Sequence, residues 1–205
     1  MLNKCATDSN KSPSEFVLPI FCDLSKAFDV LNHEILLSKL YTLGIRGPAF
    51  QWFSSYLDNR KQYVEIGNFQ SPMSDISLGI PQGSILGPLL FLIYVNDIQN
   101  SCNEMILSFA DDTTLVVSSE KLDTLFLLAN NAINELNTWL LANRLKLNAR
   151  KTTYMVIRKS NRILNLNELE LKIGDEAIAR TDGDSEGQNF LGLWIDDRLS
   201  WKKTY

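Results

Sequence analysis

The period of the hydrophobic positions changes several times along the chain, and each change predicts an element. Phe16 to Cys22 is a short, nearly continuous apolar run, the pattern of a buried strand, and Pro19 predicts placement toward a strand start or a sheet edge. From Asn32, a good N-cap residue, the leucines and isoleucines at 35, 36, 37, 40 and 43 recur at helical spacing until Gly44, the expected C′ residue. Pro48 opens a second helix through about Leu57.

Alternation over Lys61 to Ile66, a Gly67-Asn68 turn and the segment from Phe69 to Leu78 predict a hairpin. Gly79-Ile80-Pro81-Gln82-Gly83-Ser84 forbids a regular element, and Ser84 caps a predicted helix over about Ile85 to Asp97. Met105 to Phe109 and Thr113 to Val117 read as two strands around Ala110-Asp111-Asp112, a tight hairpin with carboxylates at its tip.

A long amphipathic helix is predicted from about Glu120, with Leu122, Leu125, Phe126, Ala129, Ile133, Leu136, Trp139 and Leu140 on one stripe. Thr152 to Ile157 is a β-branched strand, Leu169 to Ala179 another hairpin, Arg180 to Gln188 a loop, and Phe190 to Ile195 the last strand. The mixed order of elements predicts an α+β fold, with helices covering one face of an antiparallel sheet.

Composition narrows the chemistry. With 205 residues, 45% of them hydrophobic, the chain has material for one sizeable domain, and no internal repeat is visible. Residues 1–15 read as a polar tail and residues 16–205 as the domain. The longest apolar run, Ile85 to Val95, is too short for the roughly 20 residues that span a bilayer and is broken by Gly87-Pro88. No signal peptide is visible, so an intracellular protein with no membrane partner is expected, nucleus and cytoplasm being indistinguishable.

Cys5, Cys22 and Cys102 have neither disulfide nor zinc spacing, and His33 is the only histidine. It is expected to pack or cap at the helix entry. Carboxylates must therefore carry any metal chemistry. The net charge of −4 opposes a protein that grips nucleic acid with its whole surface. Arg144, Lys146, Arg150, Lys151, Arg158, Lys159 and Arg162 nevertheless crowd one stretch, either a basic wall or a solvated face.

Adjacent aspartates at a hairpin tip repel, and a divalent cation resolves the conflict. Apolar strands on both sides would hold such a tip rigidly at the end of a sheet, and Asp23, delivered by Ile20-Phe21-Cys22, supplies a second carboxylate at a strand end. Asp23-Leu24-Ser25-Lys26-Ala27-Phe28-Asp29, Gly79 to Leu90 and Phe109-Ala110-Asp111-Asp112 together resemble three ordered motifs of reverse transcriptases, most closely those of non-LTR, LINE-type, jockey-like retrotransposons. The similarity continues through Leu145 to Thr152 and Phe190-Leu191-Gly192 to Trp201, about residues 16 to 203 in all.

The resemblance implies a polymerase palm that extends a DNA primer on an RNA template with deoxynucleoside triphosphates. It implies that Asp23, Asp111 and Asp112 hold two Mg²⁺ ions, Mn²⁺ being an alternative. By the same resemblance Phe28 is a steric gate against a ribose 2′-hydroxyl, Pro81, Gln82 and Gly83 lie beside the nascent base pair, Lys151 lies near the leaving pyrophosphate, and Phe190, Leu191 and Gly192 position the primer. Read only as residues, Phe28 is a core aromatic, Pro81 to Gly83 a helix-entry turn, and Lys151 a surface lysine.

With 22 residues before Asp23, the fingers are expected to be mostly missing and the thumb absent. That keeps two other readings open: an inactive retroelement remnant, and a palm module that binds nucleic acid without catalysis. Oligomeric state is not legible.

Overall fold

A computed structural model describes residues 16–158, 169–181 and 187–200. The expected tail over 1–15, Cys5, Lys159, Arg162, most of the loop after Arg180, and Trp201 lie outside the described residues. In chain order the elements are β1 (Phe16–Cys22), α1 (His33–Thr42), α2 (Gly47–Leu57), β2 (Arg60–Gln62), β3 (Glu65–Ile66), β4 (Phe69–Gln70), β5 (Ser74–Ile76) and α3 (Leu86–Val95). They continue with β6 (Met105–Phe109), β7 (Asp112–Ser119), α4 (Leu122–Ala142), β8 (Thr153–Tyr154), β9 (Ile157–Arg158), β10 (Lys172–Ile173), β11 (Glu176–Ala177), β12 (Ala179–Arg180), β13 (Gln188–Phe190) and β14 (Leu193–Ile195).

The chain divides into two compact units. One runs through Asp23, then Gln99–Trp139, then from Leu147 onward; the other comprises Leu24–Ile98 and Leu140–Lys146. The second unit is thus largely a sequence insertion between β1 and β6.

The first unit is built on a six-stranded sheet in the order β12-β8-β1-β7-β6, with β9 also pairing β1. It is antiparallel except for the edge pair of β12 and β8, which runs parallel. Leu18, Ile20 and Cys22 stand opposite Val117, Leu115 and Thr113 and are buried with them. Tyr154, opposite Ile20, belongs to the same face by the two-residue period of a strand, and its ring meets Phe126 of α4 edge-on at 5.7 Å. The predicted stripe of α4 is buried at Leu125, Phe126, Ala129, Ile133, Leu136 and Leu140. Helix therefore covers one face, as the pattern predicts.

The opposite face carries Phe21, whose ring lies 5.9 Å from that of Phe190. Phe190 belongs to a hairpin: β13 and β14 pair antiparallel, with Leu191 at φ +50° and Gly192 at φ +85° between them. The expected single strand over Phe190 to Ile195 is corrected accordingly, because two successive left-handed residues reverse the chain.

Pro19 is the other correction. It lies in a strand paired on both sides, not at an edge. Its carbonyl accepts from the Met155 amide at 3.1 Å, and Met155-Val156 is the break between β8 and β9, where the predicted strand over Thr152 to Ile157 is interrupted. A proline has no N–H to offer a neighbour, so the partner strand breaks opposite it.

The second unit packs α1 and α3 around Leu36, Leu40, Leu90, Phe91 and Tyr94. The Asn32 side chain accepts from the Ile35 amide at 3.0 Å, and Gly44 follows α1 at φ +93°, both as predicted. The buried Tyr94 hydroxyl donates to the Asn143 carbonyl at 2.6 Å and accepts from the Asn32 amide at 3.3 Å. The predicted Lys61 to Leu78 hairpin forms in two short ladders, β2 with β5 and β3 with β4. Among the described residues no helix is long and apolar enough to cross a membrane.

Candidate metal centre and substrate-facing turns

Strand register brings the acidic residues to one end of the sheet. Cys22 pairs Thr113 and Phe109 pairs Asp112, so β1 ends where the β6–β7 hairpin turns, and Asp23 follows directly. The turn itself is Ala110-Asp111, with Ala110 at φ +52°. This left-handed conformation is costly for a residue with a Cβ, and it persists where the flanking ladder over-determines it. Alternation along β7 puts Asp112 on the face of Thr114 and Phe21, away from α4.

Asp23 is held by its backbone. Its amide donates to the Thr152 hydroxyl at 3.2 Å and its carbonyl accepts from the Asn148 amide at 2.9 Å. Thr152 is fully buried, and its own amide donates to the Asn148 carbonyl at 2.8 Å. Sequence reading passed over both residues; the one signal available was a β-branched hydroxyl immediately after Lys151.

Electrostatics single out one member of the group. Partial burial, then the charges of Asp111 and Asp23, push the Asp112 carboxyl above its ordinary range. Asp112 borders an apolar cleft of about 460 Å³ that is also lined by Phe109, Val116, Phe190 and Leu191. That cleft joins the tip to the hairpin expected to position the primer. Lys151 is exposed, in the turn that follows Asn148.

No three His, Cys, Asp or Glu side chains among the described residues gather into a ready-made metal cage. Magnesium does not require one: it is held through one or two carboxylates and takes its other oxygens from water and substrate phosphates. Mutually repelling carboxylates at the rim of a sheet, reached by solvent, fit that donor set.

The other expected site residues belong to the second unit. The ring of Phe28 stacks on Phe91 at 4.6 Å, 21° from parallel, so its body is anchored in the core of that unit. Gly79 runs against the Asp29 loop. Its amide donates to the Leu31 carbonyl at 2.7 Å, and the Ile80 amide donates to the Phe28 carbonyl at 3.0 Å. A Cβ on Gly79 would stand 2.6 Å from the Asp29 carbonyl oxygen, and φ is +80°. Only glycine fits there.

Gln82 donates its amide to the Asp29 carboxylate at 2.8 Å, which gives Asp29 a structural task beside the turn. Gly83, at φ +77°, has open space where a Cβ would go. Ser84 donates to the Pro81 carbonyl at 2.7 Å and accepts from the Gly87 amide at 3.0 Å, capping α3 as expected. His33 bonds the Gly79 carbonyl at 2.7 Å, consistent with a packing role.

The buried Cys22 thiol is pushed up to about 12 by burial and is inert at neutral pH. Arg158 pairs with the buried Asp197 at 3.1 Å, so this member of the basic stretch faces inward rather than forming a wall.

A family model described as reverse transcriptase (RNA-dependent DNA polymerase) matches residues 4–195. The chain belongs to the reverse transcriptase family. It is 28% identical over 91% of its length to the probable RNA-directed DNA polymerase from transposon BS of Drosophila melanogaster, and 24% identical over 92% to the RNA-directed DNA polymerase from mobile element jockey of that species. It spans 21% and 20% of those proteins, about a fifth of their length.

Its fold is similar to that of apo telomerase from Candida tropicalis, with a TM-score of 0.63 and 14% identity over 96% of this chain and 37% of that one. The jockey-like resemblance read from the motifs agrees with these relatives, and the sheet with helix on one face agrees with a palm-type fold. Reverse transcriptases use divalent metal ions.

Proposed function

We propose that the chain provides the palm of an RNA-directed DNA polymerase, with Asp23, Asp111 and Asp112 as the residues that hold two Mg²⁺ ions. The observation that carries this reading is the β1–β7 register, which sets Asp23 beside the Asp111-Asp112 tip at one sheet end. When bound, such ions activate the primer 3′-hydroxyl and stabilise charge on the leaving oxygen of the nucleotide. In the reaction the 3′-hydroxyl gives up its proton to water, a bond forms between the 3′-oxygen and the α-phosphorus, the bond from that phosphorus to the oxygen bridging to the β-phosphate breaks, and pyrophosphate leaves.

The residues of the chain have positioning tasks. The Asn148 and Thr152 contacts fix Asp23, and the over-determined Ala110 turn fixes the tip. Phe28, anchored on Phe91, is the gate that selects deoxyribose, and Pro81, Gln82 and Gly83 face the nascent base pair. Lys151 meets the pyrophosphate, and the Phe190-Leu191-Gly192 hairpin holds the primer end. The partners are an RNA template, a DNA primer and deoxynucleoside triphosphates.

Primer extension on an RNA template with Mg²⁺ or Mn²⁺ tests the reading. The chain is expected to extend the primer, and Asp23→Ala and Asp111→Ala to reduce extension to background. Equal signals from all three proteins would refute polymerase activity for this chain and leave a non-catalytic palm.

A further inference from the structure

Helix α2, Gly-Pro-Ala-Phe-Gln-Trp-Phe-Ser-Ser-Tyr-Leu, is rich in aromatic residues, yet only Leu57 of its eleven residues is buried. Trp52 is 52% exposed and stacks on Tyr56 one turn later, centroids 5.5 Å apart and planes within 13°. Four residues further on, at the start of β2, the Arg60 guanidinium stands 5.2 Å from the Tyr56 ring centre. Trp52, Tyr56 and Arg60 thus form a ladder at intervals of four residues that ends in a cation.

Arg60 also lines a cleft of about 620 Å³ in the same unit, together with Lys61, Gln62, the Gln82 turn and Asp29, whose carboxylate Gln82 engages. Its Nε is buried without a hydrogen-bond partner. The Lys61 ammonium is 3.7 Å from Asp75, but both side chains are largely exposed, so water and salt screen that pair and leave the lysine free to meet another anion.

We infer that the α2 ladder and this cleft form a track for single-stranded RNA, with a base stacking on the outer face of Trp52, which Tyr56 backs, and phosphates meeting Arg60 and Lys61. Exposed aromatic faces flanked by cations are the chemistry that grips unpaired bases regardless of sequence. The cations also supply the positive charge that the acidic chain as a whole lacks. The identity of the strand as a template rests on the polymerase reading above; the binding surface does not.

The test is fluorescence anisotropy of a labelled oligouridine 16-mer without metal or nucleotide, titrated with salt between about 50 and 200 mM. Trp52→Ala should weaken binding between about fivefold and a hundredfold, the range for losing one stacked base, and Trp52→Tyr should restore most of it. The double variant Arg60→Gln, Lys61→Gln should flatten the salt slope by about 1.4, near 0.7 for each phosphate contact. An RNA duplex of equal charge should bind without dependence on Trp52. Unchanged affinity and slope in all variants would overturn the proposal. So would sedimentation in which Trp52→Ala abolishes self-association while RNA affinity stays constant, since the surface would then be an interface between copies. Retained primer extension in Asp111→Ala would sink the polymerase reading instead, leaving the binding result to be judged separately.

Discussion

The two units fix their chemistry-bearing side chains by opposite means. In the sheet unit, Asp23 and Asp112 are placed by ladders between strands distant in sequence, and the carboxylates remain in electrostatic conflict. In the helical unit, the Gln82 turn is placed by backbone contact between two loops, with Gly79 against Asp29, and its polar groups are satisfied. A ladder tolerates substitution of any one side chain, because the backbone carries the register. A loop-on-loop contact does not, since a single added carbon occupies the space of the neighbour.

That contrast breaks first at Gly79. Gly79→Ala should destabilise the protein by about 3 kcal/mol, combining a left-handed alanine with a backbone collision. Gly83→Ala, with a similar φ and open space, should cost only about 1 kcal/mol. Urea denaturation of the two variants side by side measures the difference, and equal losses would show that the collision is relieved by the loop moving.

Thr152→Val comes next. It keeps the shape of the side chain but leaves the Asp23 amide without its acceptor, at a cost of about 1–3 kcal/mol. Primer extension should fall with it, and a stable, fully active variant would show that Asp23 is held without the Thr152 hydroxyl.

The smallest effect is expected at Asp112, and it depends on pH. Because the folded state raises this carboxyl above its ordinary value of 3.8, the folded protein binds the proton more tightly than the unfolded chain. Its contribution to stability is full below that ordinary value and is lost as pH rises through the raised one. Asp112→Asn should therefore raise the free energy of unfolding at pH 7, by no more than about 1 kcal/mol given solvent screening, with the gain vanishing in acid. A gain that is independent of pH would place its origin outside this charge conflict.

Much of the site was legible because it is local. The Asp111-Asp112 tip, the cap at Asn32, the stop at Gly44 and the glycine turn each announce themselves within a few residues. The break opposite Pro19 was not legible, since it depends on which strand pairs β1 across more than a hundred positions of sequence. Thr152 escaped for the same reason: its importance comes from an amide at Asp23. Within Phe190 to Ile195 an apolar run concealed a reversal at Leu191-Gly192, because leucine is a poor advertisement for φ +50°.

Pro19 has a further consequence during synthesis. β1 leaves the ribosome well before its partners Thr113–Ser119, Thr153–Tyr154 and Ile157–Arg158, which follow it in the chain. At about 5–20 residues per second, Phe-Val-Leu-Pro-Ile-Phe-Cys waits for seconds with nothing to pair. An uninterrupted apolar segment of that length is the kind that seeds intermolecular β-stacking, and a proline at its centre denies a stray strand one of the hydrogen bonds it would need. The residue that costs the finished sheet a gap also leaves the unpaired segment one backbone donor short.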